Sequence, residues 1–73
     1  MDARLIEPAI KACFAEIYTK LREAKRIAKA ADACAQAGSL GEAVKVSMDI
    51  EQLIYDAGRL HDAVTLLGRL AER

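Results

Sequence analysis

Cys13, Cys34, His61, Tyr18 and Tyr55 are the side chains of this 73-residue sequence with the readiest chemistry. The two cysteines fall in what reads as one helix, and at 1.5 Å per residue their Cα atoms stand about 30 Å apart. A disulfide requires Cα atoms within roughly 7 Å, so the pair cannot bridge within one chain. One histidine and no Cys-x-x-Cys pair leave too few ligands for a structural zinc site. Both thiols therefore read as small apolar side chains of a reducing compartment. His61 has only Glu16, Asp62 and Thr65 within prospective reach, and a catalytic base needs a nucleophile or a second polar group converging on it. It reads as an edge histidine paired with a carboxylate, and the two tyrosines as interface or boundary rings. No glycine-rich phosphate loop, paired-carboxylate helix motif or nucleophile elbow occurs. The expectation is a non-enzymatic protein with no catalytic residue, metal or cofactor.

Charge narrows the partner classes. Eleven Lys and Arg balance eleven Asp and Glu, which argues against a nucleic-acid binder held by net positive charge. The charges nevertheless segregate, with residues 1 to 37 carrying seven basic against five acidic side chains and residues 38 to 73 carrying four against six. Arg22, Arg26 and Lys29 fall on one side of a helix and could face RNA or an acidic partner. In an antiparallel hairpin they lie level with Asp49, Glu51 and Asp56, so neutralisation across the hairpin is expected instead. Every stretch of ten residues holds a charge, which leaves no membrane span. Met1, Asp2, Ala3 and Arg4 lack the basic-then-apolar order of a secretion signal, and a cytoplasmic protein is the expectation.

The elements that must position these groups follow from apolar spacing. Hydrophobic residues make up 53% of the sequence but aromatics only 4%, a composition that favours close-packed helices over a sandwich or barrel. Ile10, Phe14, Ile17, Leu21, Ala24, Ala28, Ala31 and Ala35 alternate spacings of four and three, the seam of a helix that keeps facing one partner. Pro8 lacks a backbone donor and suits the first turn, which predicts a helix over about 8–37. Ala43, Val46, Ile50, Leu53, Ala57, Leu60, Val64, Leu67 and Ala71 repeat the pattern and predict a second helix over about 40–72. Between them, Gly38 suits a left-handed helix end, and Ser39 with Glu42 has capping-box spacing. So short a turn, over 38–40, makes the helices antiparallel. The fold class is all-α, an antiparallel helical hairpin of two long helices with coiled-coil packing, forming one domain over residues 1–73.

An internal similarity at a period of 20 competes with this reading. Gly38-Ser-Leu-Gly-Glu-Ala43 and Gly58-Arg-Leu-His-Asp-Ala63 both resemble the turn of a tetratricopeptide repeat, which would break the second helix at Gly58 into a three-helix chain. Arg59 is a poor N-cap, and the seam crosses Gly58 without a phase change, so the continuous helix is preferred.

The apolar surplus carries the functional reading. Val44, Met48, Tyr55 and Leu66 lie off the seam of the second helix, and Ile6, Cys13, Ile27 and Cys34 widen that of the first. A core of this length contributes only about 3 to 5 kcal/mol without a staple or a partner. Val44, Met48, Tyr55 and Leu66 are therefore the expected contact residues, and a dimer forming a four-helix bundle, or a helical protein partner, is expected to cover them. The two-helix outline is similar to the ROP-type RNA-binding hairpin dimer. The hairpin, together with Glu51, Gln52, Leu53 through Ala57, Arg59, Leu60, Val64, Leu66, Leu67 and Leu70, resembles the small co-chaperone subunits of type III secretion systems. That resemblance implies an adaptor that keeps a needle protein soluble.

Overall fold

The computed structural model describes residues 2–72. Helix α1 spans Ala3–Gln36, α2 spans Leu40–Ser47 and α3 spans Ile50–Ala71. The last two continue one another, so the chain is an antiparallel hairpin of two long helical arms, a rod of 54 × 14 × 12 Å.

The turn forms as glycine chemistry requires. Gly38 has φ +85°, its N–H donates to the Ala35 carbonyl and that of Ser39 donates to the Cys34 carbonyl. These two bonds satisfy the last carbonyls of α1 in a Schellman motif. The expected capping box is absent. Ser39 makes no side-chain cap bond, its carbonyl instead accepting from the Ala43 N–H, and Glu42 turns to Lys45 at 3.6 Å.

Two boundaries differ from the sequence expectation. Helix α1 begins at Ala3 and carries Pro8 in its interior. Asp2 caps it, with Oδ1 accepting from the Arg4 N–H at 2.8 Å. The guanidinium of Arg4, followed by its backbone N–H, holds the Asp2 carboxyl below the usual carboxylate range. An interior proline forfeits one ladder bond and crowds the preceding turn. What the extra turn gains is burial of Ile6, 3% exposed and the most buried side chain among the described residues. The second departure lies at Met48 and Asp49, where the ladder tightens. Ser47 Oγ donates to the Val44 carbonyl at 2.8 Å, and the Met48 N–H reaches back only three residues, to Lys45. A serine hydroxyl that bonds the preceding turn competes with the helical ladder. Met48 and Asp49 keep right-handed helical dihedrals, so the arm continues in one direction.

Gly58 lies inside α3 and does not have positive φ. The tetratricopeptide-like break is therefore not present. A Cβ at Gly58 or at Gly38 would meet nothing within 4 Å, so backbone conformation alone separates the two positions. Gly58→Ala is expected to stabilise by up to about 1 kcal/mol, and Gly38→Ala to cost about 1 to 2 kcal/mol through its left-handed φ. Opposite shifts of the urea midpoint would check both.

Packing fixes which stripe is the seam. Ala43, Val46, Ile50, Leu53, Ala57, Leu60, Val64, Leu67 and Ala71 are all buried or half-buried, as the spacing predicts. On α1 the seam runs through Ile6, Ile10, Cys13, Ile17, Lys20, Ala24, Ile27, Ala31 and Cys34. This corrects half of the expected stripe: Phe14 and Leu21 remain 51% and 47% exposed, and Cys13, Lys20, Ile27 and Cys34 take the inner places. Glu16 and Lys20 share a concavity with Asp56, Arg59 and Leu60, and Ala31 and Ala35 share another with Leu40, Ala43 and Val44. Residues whose numbers sum to about 77 thus lie level. By that register Ala24 is level with Leu53 and Lys20 with Ala57. Small side chains opposite large ones let the arms approach closely, and the Lys20 stem lies along the seam while its ammonium reaches Glu16 at 3.8 Å.

Candidate interaction surface

The seam divides the rest of the hairpin into two unlike flanks. Beside the first positions of the seam heptads lie Phe14, Leu21, Ala28 and Ala35 from α1 and Leu40, Ser47, Ile54 and His61 from the other arm. Tyr18 and Val44 border the same flank. Phe14, Tyr18, Leu21, Leu40, Val44 and Ile54 are all large, apolar and exposed. The lining shared by Ala35, Leu40, Val44 and Ser47 places both arms on this side at the turn end. The opposite flank is acidic and mixed, bringing Glu16, Lys20, Asp56 and Arg59 together, with Asp56 Oδ1 accepting from Gln52 Nε2 at 2.8 Å.

A third surface lies on the outer side of the second arm. Met48 and Tyr55 are 68% and 60% exposed and line a shallow depression with Glu51 and Gln52. Leu66 continues their face at helical spacing, and Val44 bridges from this face to the apolar flank. All four expected contact residues, Val44, Met48, Tyr55 and Leu66, are thus exposed. Phe14, Leu21 and Ile54 add to the surplus apolar surface; the first two were hidden in the sequence by the phase of the α1 stripe, since they fit the inner seam equally well by spacing.

The interior is correspondingly thin. Among the described residues only Ile6, Ala24 and Ala57 are buried, and no large side chain is fully enclosed. The two cysteines are half-buried in the α1 seam as free thiols.

The polar groups singled out by sequence do not converge. His61 is exposed on the apolar flank, whereas Glu16 lies on the opposite one, paired with Lys20. Lying level along the rod does not bring the two to the same side. Among the described residues no three His, Cys, Asp or Glu side chains cluster as metal ligands. Among the described residues the neutralisation expected across the hairpin is not made by any ion pair between the arms. The ion pairs found, Arg4 with Asp2, Lys20 with Glu16, Arg26 with Glu23 and Lys45 with Glu42, each lie within one arm. Arg22, Arg26 and Lys29 occupy outward positions of α1, and the Arg22 guanidinium lies 5.4 Å from the centroid of the Tyr18 ring, a cation–π contact. Among the described residues no helix is long and apolar enough to cross a membrane.

No protein-family model matches the chain, and no curated protein or solved structure matches it.

Proposed function

We propose that this chain is a non-enzymatic helical interaction protein that completes its core by association, with a second copy or with the helices of a partner. The observation that carries this reading is the imbalance, among the described residues, between an interior of three buried residues and ten large hydrophobic side chains left exposed. Monomers rarely present continuous apolar patches beyond a few hundred Å², and larger ones mark interaction sites. Val44, Met48, Tyr55 and Leu66 serve in this reading as partner-contact residues on the outer side of the second arm. An adaptor of the co-chaperone kind would use the same face, since its task is to cover an apolar helix. The outward basic positions of α1 support the RNA-binding alternative less well, because Arg26 is engaged by Glu23 and Arg22 by Tyr18.

Dilution tests the reading. An associating chain is stabilised by mass action, so its thermal midpoint rises with concentration. Over a hundredfold dilution the midpoint is expected to fall by several degrees, with light scattering recording a particle heavier than one chain at the upper end. A fixed midpoint together with the mass of one chain would rule out self-association. If such a monomer also failed to bind an apolar dye, the whole reading would go with it.

A further inference from the structure

The apolar flank has the extent, charge pattern and symmetry to receive a second copy of this chain. Resting on the association reading above, we propose that two hairpins pack flank to flank about a two-fold axis parallel to the rod. Helix α1 of each copy then lies against the α2–α3 arm of the other.

Area supports a full interface. The chain exposes 5562 Å², whereas a folded monomer of 7.9 kDa typically exposes about 4,400 Å². The excess of about 1,150 Å² per chain amounts to about 2,300 Å² for two copies, within the range of obligate homodimers and above that of transient contacts. The flank is continuous enough to use it, with Phe14, Leu21, Leu40 and Ile54 distributed along the rod and Tyr18 and Val44 bordering them.

Charge selects the axis. An axis across the rod would set α1 against α1, and residues 1 to 37 carry two more basic than acidic side chains. An axis along the rod sets α1 against the second arm, where residues 38 to 73 carry two more acidic than basic ones. It also preserves height, so the register of about 77 that holds within one hairpin applies between copies. Leu21 then comes opposite the partner copy's Ile54, and Lys25 opposite its Glu51. Both Lys25 and Glu51 are exposed at the outer border of the flank, where their charges steer register without being buried. Every neighbouring helix pair in the resulting four-helix bundle is antiparallel.

The test is a charge exchange read by sedimentation equilibrium, with circular dichroism on each sample to confirm that the hairpin stays helical. The wild type is expected to sediment as two chains at 100 μM. Lys25→Glu and Glu51→Lys should each weaken the dimer by about tenfold, since each reversal places like charges together twice in a symmetric particle. The variant carrying both substitutions should recover the wild-type constant to within about twofold. Leu21→Glu should weaken the dimer more than a hundredfold. A dimer indifferent to both charge reversals, or a double exchange that fails to rescue, overturns the proposed axis. Association that responds to Met48→Glu with Tyr55→Glu but not to Leu21→Glu overturns the flank itself and leaves the association reading standing. A wild-type chain that stays monomeric at 100 μM with a dilution-independent thermal midpoint overturns the dimer.

Discussion

Leu60→Ala is expected to lower stability by about 2 kcal/mol, roughly half of what a core of this size supplies. Leu60 belongs to the α3 seam and lines the concavity that joins Glu16 and Lys20 to Asp56 and Arg59. Leucine truncation in a core costs about 2 to 5 kcal/mol through lost transfer energy and the cavity left behind. Leu60 is only half-buried in the single hairpin, which sets the expectation at the low end. That loss is large against the roughly 3 to 5 kcal/mol that a core of this size supplies. Urea titration followed by circular dichroism gives the number, and Leu66→Ala is the matched comparison because Leu66 is exposed on the same arm. Equal midpoints for the two variants would show that the arms do not meet along the assigned seam.

The contrast between the arms explains which parts of this fold could be read directly. On the second arm, large apolar residues recur on one stripe, and all nine expected positions face inward. Helix α1 offers two stripes that share Ile10, Ile17, Ala24 and Ala31. One adds Phe14 and Leu21, the other Cys13 and Lys20. Hydrophobicity favours the first, but Phe14 or Leu21 opposite a leucine-rich seam would hold the arms apart, whereas cysteine, alanine and a lysine stem permit close approach. The preference for the bulkier stripe comes from the whole apolar face of α1, which is wider than one neighbour can cover. The early start of α1 and the tightening near Met48 depend on burial of Ile6 and on one Ser47 hydroxyl bond. Neither has a periodic signature. The surplus on Met48 and Tyr55 was legible because those positions stand opposite the seam of a helix whose phase was already unambiguous.

That position makes the double variant Met48→Glu with Tyr55→Glu the sharpest separation of fold from contact. Both side chains are exposed in the hairpin, so two carboxylates there remain solvated and displace no packed neighbour. At Tyr55 the substitution also exchanges an aromatic residue for a better helix former. The helical signal and the urea midpoint at the lowest measurable concentration are therefore expected to stay within about 1 kcal/mol of the wild type. Association through the outer face should instead weaken by at least tenfold, because each charge would have to be desolvated in the complex and a tyrosine anchor would be lost. Apolar-dye fluorescence and light scattering report the second effect, circular dichroism the first. A variant that unfolds like Leu60→Ala would place Met48 and Tyr55 inside the fold. One that binds dye and associates like the wild type would remove the outer face of the second arm from the contact surface, leaving the flank of Phe14, Leu21 and Ile54 as the surface through which this chain meets another helix.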